Sequence, residues 1–138
     1  MIILDTNVLS EAMRQAPDTI VTAWLDAQII ESLCTTSITV SELAAGIDVL
    51  PNSKKRSALQ EKFTALRGAL ASRILPFDEA AALMFGQMIA KAKKAGFGIG
   101  HADAQIAAIA QVHGFTVATR DTAPFGAVGI TVINPWGD

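Results

Sequence analysis

The sequence predicts a layered α/β fold, and three observations carry that expectation. Five short apolar runs recur along the 138 residues, at 2–4, 32–37, 73–77, 115–118 and 130–133. Between them lie stretches whose apolar residues recur at helical spacing. Strands that alternate with helices imply parallel pairing and crossover connections, hence a sheet with helices packed on it. No internal repeat, low-complexity tract or linker divides the chain, so residues 1–138 are expected to form one domain with a single substantial core.

In order, the strand at 2–4 ends at Asp5, and Thr6 or Asn7 is placed to cap the helix that follows. A second helix opens near Pro17-Asp18 and carries Ile20, Val21, Trp24 and Leu25 on one face. After the strand at 32–37, Thr39 or Ser41 opens a helix with Leu43, Ile47 and Leu50 in one stripe, stopped by Pro51-Asn52. Residues 53–71 form another helix, with Leu59, Phe63, Leu66 and Leu70 at helical spacing. The strand at 73–77 leads into a helix from Asp78 to about Lys94, broken by Ala95-Gly96-Phe97-Gly98. A last helix runs from about Ile99 to His113 and stops at Gly114, and the strands at 115–118 and 130–133 follow.

Composition excludes several classes. Hydrophobic residues make up 51% of the chain, yet no apolar run approaches the ~20 residues that cross a bilayer. No basic segment precedes the short apolar run at the N-terminus, so a secretory leader is not expected and a cytoplasmic location is. The apolar surplus points to strands buried on both faces and to a subunit interface. The single cysteine, Cys34, rules out an intramolecular disulfide and suits a small buried hydrophobe in a reducing compartment. The net charge of −2 decides nothing about nucleic acid, because carboxylates that hold divalent cations turn a neutral or positive face to a substrate.

Of the thirteen Asp and Glu residues, Glu31, Glu61, Asp78, Glu79 and Asp138 fall where solvated acids belong. Four others stand apart. Asp5 ends the first strand, and Asp121 follows the fourth closely enough to reach the same edge, where open α/β sheets bind ligands. Asp103 lies between Ile99 and Ile106 at spacings that aim its carboxylate inward among Ile and Ala. Glu42 flanks the Leu43/Ile47/Leu50 stripe, and Gly46 one turn on leaves room for close approach. A carboxylate facing a core needs a counter-charge. Arg120 is the basic residue nearest this set and cannot neutralise four acids, with His101 adding at most part of a charge. A hard divalent ion fills the deficit, and an all-oxygen donor set favours Mg²⁺ or Mn²⁺ over zinc. Singly, a cap for Asp5, a half-exposed helix glutamate for Glu42 and a turn residue for Asp121 are better accounts. Together the four read as a site.

These residues resemble the motifs of PIN-domain nucleases across essentially the whole chain. Asp5-Thr6-Asn7, Ser41-Glu42-Leu43 followed by Gly46, Ala102-Asp103-Ala104-Gln105-Ile106-Ala107-Ala108 and Thr119-Arg120-Asp121 occur in the family's order. Within that family the chain is most similar to the VapC toxins of bacterial type II toxin–antitoxin modules. Asn134-Pro135-Trp136 and the segment at 73–78 are similar to its FitB-type branch. The resemblance implies a three-layer α/β/α fold around a mostly parallel sheet of about five strands. It implies Mg²⁺ or Mn²⁺ at Asp5, Asp103 and Asp121, with Glu42 as a further ligand or neighbour, and it makes Thr6, Asn7, Thr119 and Arg120 supporting residues. It also implies an endoribonuclease with an RNA substrate, a DNA-binding antitoxin partner and a homodimer. His101 departs from relatives, which often have a small or aliphatic residue there; helix-end capping accounts for His101 and His113 alike.

Hydrolysis by a metal-activated water would leave 5′-phosphate and 3′-hydroxyl ends. Lys54-Lys55-Arg56 and Lys91, Lys93 and Lys94 read first as solvated helix-end charge. Aromatic residues are 6% with no tyrosine, which argues against stacking several bases. Two rival readings stand beside the nuclease. A phosphatase with an aspartyl nucleophile at Asp5 needs a second Asp two residues on, where this chain has Asn7. A catalytically inactive PIN-like assembly module would have lost an acid, and all four are present. Trp24 and the helix at 53–71 fit either a partner surface or the core.

Overall fold

The computed structural model describes residues 1–137; Asp138, placed above among the solvated acids, lies outside them. In chain order the elements are β1 (Ile2–Leu4), α1 (Thr6–Ala12), α2 (Thr19–Asp26), a 3₁₀ turn (Ile30–Ser32), β2 (Leu33–Thr36) and α3 (Ser37–Asp48). Then come α4 (Lys54–Ala69), a 3₁₀ turn (Ala71–Arg73), β3 (Ile74–Leu75), α5 (Glu79–Ala95), α6 (His101–His113), β4 (Thr116–Ala118), α7 (Thr122–Ala127) and β5 (Val132–Ile133). The strands form one sheet in the order β3-β2-β1-β4-β5, every pair parallel. The five-stranded α/β expectation holds.

Register divides the core in two. Ile3 stands opposite Cys34 on one side and Val117 on the other, while Leu4 stands opposite Ala118 and Ile2 opposite Leu33. Because side chains alternate along a strand, Ile3, Cys34 and Val117 share one face, packed by Met88, Ile106, Ile109 and Phe125 from α5, α6 and α7. Leu4, Leu33 and Ala118 share the other, packed by Val8, Leu9, Val21, Leu43, Ile47 and Phe63 from α1 to α4. These are the three layers. All four residues of β2 are buried, so part of the apolar surplus goes into a strand covered on both faces.

The strand order explains why the helices split. From β1 the chain steps to β2 and β3 in one direction, then returns past β1 to β4 and continues to β5 in the other. Right-handed crossovers put the helices of opposite directions on opposite faces. The reversal falls between β1 and β4, which makes their carboxyl ends a switch-point crevice. Gly114, at φ 69°, ends α6 in the left-handed region, and Phe115 N–H closes the turn on Ala110 O at 3.0 Å, feeding the chain into β4.

Local chemistry shifts several expected boundaries. The strand at 32–37 gives way early because Thr36 is itself the cap of α3, its hydroxyl accepting from Thr39 N–H at 3.2 Å, so Thr39 and Ser41 lie inside the helix. Pro76 follows β3 directly, and proline cannot extend a ladder. The helix expected from Ile99 starts at His101. No helix was expected after β4, where Asp121 beside Thr122 and Pro124 reads as a turn residue. Pro124 sits in the first turn of α7, where the missing N–H has no helical partner anyway, and buried Phe125 anchors the helix.

Candidate active site

β1 pairs with β4 one step beyond its last residue, through Asp5 N–H to Ala118 O at 3.0 Å, and this delivers Asp5 to the crevice. Asp5, only 4% exposed, is the N-cap of α1. Its Oδ1 accepts from Thr6 N–H at 2.8 Å and its Oδ2 accepts from the Thr119 hydroxyl at 2.7 Å. That corrects the expected cap at Thr6 or Asn7: both are inside the helix, and their side chains serve the site. Thr119, fully buried, also accepts from Asn7 Nδ2 at 3.2 Å and from Asp121 N–H at 3.0 Å, so its hydroxyl is saturated. Asn7 Oδ1 accepts from Arg120 N–H at 3.2 Å. The turn after β1 and the turn after β4 are thereby clamped together.

Thr6 makes the second link. Its hydroxyl donates to Glu42 Oε1 at 2.6 Å and stands 3.1 Å from the hydroxyl of buried Thr39. Glu42 is exposed, not inward-facing, and a Cβ added at Gly46 would meet nothing, so no close approach is made there. Asp103 is in the first turn of α6, half-buried, and not among the Ile and Ala side chains that fill the core from Ala104 onward. Asp103 is the third residue of the helix, and the buried run begins only at Ala104. Asp121 is exposed at the head of α7 and makes no capping bond.

Electrostatics joins the four acids. Burial is the main cause that raises the Asp5 pKa to about 6; the Thr119 and Thr6 hydrogen bonds oppose it, and Asp103 and Glu42 add to it. Asp103 is raised by burial first, then by Asp121 and Glu42. Among the described residues the ion pairs are Arg14–Glu11 and Arg56–Asp48, and neither touches the site. Four carboxylates therefore face one another with neutral partners only. No three His, Cys, Asp or Glu side chains among the described residues are drawn together as a ready-made cage. Coulomb coupling acts over several ångströms, whereas Mg²⁺–oxygen bonds need about 2.0–2.1 Å, so the acids are neighbours that a cation would have to gather in. Hard oxygen donors without a counter-charge suit such a cation.

The remaining sequence candidates fall elsewhere. Exposed His101 lies with its ring 5.6 Å from that of Phe85. His113 stacks on Phe115 at 5.3 Å in the last turn of α6. Arg56 is taken by Asp48 and Asn52, and Lys93 and Lys94 occupy the last turn of α5. Trp24 packs against the second core. The buried pair Thr36 and Thr39, which backs Thr6, is the part of the site that sequence reasoning missed. Its signal was a cluster of hydroxyls at positions 35, 36 and 39 amid an apolar stretch.

A parallel sheet with a carboxylate-lined crevice at its switch point defines a class of acidic-site α/β proteins, and comparison with known proteins gives the class its name. The chain belongs to the PIN-domain family, whose model matches residues 2–130. Its relatives narrow the placement. It is 50% identical over 137 residues to VapC ribonuclease Y4jK of Sinorhizobium fredii, covering 99% of this chain and 98% of that one. It is 47% identical over 139 residues to toxin FitB of Neisseria gonorrhoeae, covering both fully. The fold matches the structure of FitAB bound to an IR36 DNA fragment with a TM-score of 0.94, at 45% identity over 100% of this chain and 97% of that one.

Proposed function

We propose that this chain is the toxin of a type II toxin–antitoxin module, a metal-dependent endoribonuclease acting at Asp5, Glu42, Asp103 and Asp121. The single observation that carries the reading is the mutual coupling of these acids, from four separate segments, with no ion pair to neutralise any of them among the described residues. The names of two relatives, a VapC ribonuclease and a toxin, support RNA as substrate and toxicity as role.

Asp5, Asp103 and Asp121 would hold Mg²⁺ or Mn²⁺, which when bound acidifies a water and offsets charge on the leaving oxygen. The protein's own work is positioning. Thr119 and the Thr6 amide fix both oxygens of Asp5, so its carboxylate cannot rotate away. With a pKa near 6, Asp5 is ionised at neutral pH and free to take a cation, and below that it keeps a proton in the cation's place. Thr6, backed by Thr39, aims Glu42 at the same crevice, where it completes the donor set or orients the attacking water.

The FitAB assembly, seen with DNA, supports a DNA-binding antitoxin as partner. Exposed Leu83 on α5 and Ile20, Ile29 and Ile30 around α2 offer apolar surface for that partner or for a second copy in a homodimer. No helix among the described residues is long and apolar enough to cross a membrane. The cytoplasm, where RNA is found, is the proposed place of action.

The test is cleavage of structured RNA by purified protein with Mg²⁺ or Mn²⁺, against EDTA and against Asp5→Asn. Metal-dependent cutting that leaves 5′-phosphate ends, and is lost in the variant, is the expected result. Cutting in EDTA, or an equally active variant, sinks the mechanism. No cutting at all, with antitoxin binding intact, would favour the inactive assembly module.

A further inference from the structure

The site holds one cation that the proposed chemistry does not use. Arg120 stands between Thr119 and Asp121, with its backbone pinned to Asn7 and its side chain exposed. Among the described residues it forms no ion pair with the acids around it. Its guanidinium lies instead over the Trp136 ring, 4.9 Å from the centroid. An exposed arginine beside carboxylates has a stronger option in a charge-assisted pair than in an exposed cation–π contact. The placement of Trp136 decides otherwise. Pro135 is fully buried, the Trp136 N–H donates to Asn134 Oδ1 at 2.9 Å, and the Trp136 ring packs on the core that contains Leu4 of β1. The tail after β5 thus brings a fixed aromatic plane to the edge that carries the acids.

Stacking occupies the face of a guanidinium and leaves its in-plane N–H donors free, the donors that grip phosphate oxygens two at a time. We propose that Arg120, held on Trp136, binds a backbone phosphate of the RNA strand beside the scissile one, with Trp136 as a positioning residue acting through Arg120. Held on Trp136 and in no ion pair with the acids, Arg120 takes a phosphate other than the reacting one, so the contact serves substrate binding rather than the chemical step. The inference rests on the nuclease reading.

Trp24 and Trp136 are the two tryptophans, so Trp24→Phe leaves Trp136 as sole reporter. In an Asp5→Asn, Trp24→Phe background, titration with a short single-stranded RNA is expected to change Trp136 emission saturably. Adding Arg120→Ala weakens that binding about 10- to 100-fold, the scale of a lost charge-assisted hydrogen-bond pair. It also lowers the salt slope of log K by about 0.7, one phosphate contact on a single strand. In the otherwise native protein Arg120→Ala raises KM about tenfold and leaves kcat within about twofold. Trp136→Leu raises KM less and keeps the salt slope, because the charge remains, and Trp136→Phe restores KM. An Arg120→Ala protein, folded by circular dichroism, with native KM and native salt slope overturns the proposal. So does a loss confined to kcat, which would place Arg120 on the reacting phosphate. Undiminished cleavage by Asp5→Asn would instead overturn the role of Asp5 in the chemistry, while the KM and salt slope of Arg120→Ala still decide the phosphate contact.

Discussion

Helix α1 has a buried carboxylate at each end, and the two are handled in opposite ways. Glu11, 9% exposed, accepts from Arg14 at 3.1 Å and from Asp18 N–H at 3.0 Å. Its charge is matched locally, and it ties the end of α1 to the turn that starts α2. Asp5, 4% exposed, has a hydroxyl and an amide for partners and other carboxylates for neighbours. Burial therefore does not distinguish a structural acid from a chemical one. The charge of the partner does: Glu11 has its cation within the fold, whereas Asp5 has none paired to it and, on the proposed function, would import one.

The largest test of that contrast is Asp5→Asn. RNA cleavage should fall by about 10³-fold, the upper scale for removing one preorganised charged group. Metal-free thermal stability should stay level or rise, since an uncompensated buried charge is removed. A clear drop in Tm would make Asp5 a structural acid like Glu11. Next, Thr119→Val strips the hydroxyl from Asp5 and leaves Asn7 Nδ2 and Asp121 N–H without their acceptor. Activity should fall about 10- to 100-fold, and metal titrations of the variant should show weaker binding.

The contrast also has a pH signature. In chelator-treated protein the Asp5 pKa is raised from 3.8 to about 6, so between those values the folded chain binds more protons than the unfolded one. Stability is then highest below about pH 4 on this account and declines as pH rises through 6, by at most about 3 kcal/mol. Urea unfolding in EDTA across this range should show the decline, and Asp5→Asn should remove the larger part of it, leaving the contribution of Asp103, whose pKa burial also raises. Glu11→Gln should cost about 1 kcal/mol while leaving activity per folded molecule unchanged. Arg14→Ala, the smallest effect, should cost about 0.2–1 kcal/mol, because that arginine is mostly exposed.

The sequence carried the layers and the site unequally. Strand–helix alternation sufficed for a parallel α/β sheet, because parallel pairing follows from the connections and not from particular contacts. Boundaries were harder. Thr36 reads as a strand residue by propensity, and nothing local says that its hydroxyl will turn to cap α3. Pro124 and Gly126 mark a turn in most contexts, and only burial of Phe125 makes α7. Asp5 and Asp121 were legible because strand ends are. Asp103 was expected to face the core, but it lies in the first turn of α6, at the end of the helix where burial is only partial. Thr39 left only the signal of a hydroxyl cluster, and Trp136 none as a site residue, since each acts through a partner, Thr6 and Arg120, that only the folded chain brings near.

The hydrogen bond from Thr119 to Asp5 spans 114 residues, and that of Asn7 to Thr119 spans 112. Loop closure over such distances makes the crevice one of the last features that the fold can complete. A ribosome releases this chain from its N-terminus, so Asp5, Glu42 and Asp103 emerge well before the turn that clamps them. A chain grown only through α6 holds three of the acids and lacks the strand and turn that carry Thr119 to Asp5. For an enzyme that would cut the RNA of the cell making it, the order of assembly is itself a delay, and full activity waits for β4.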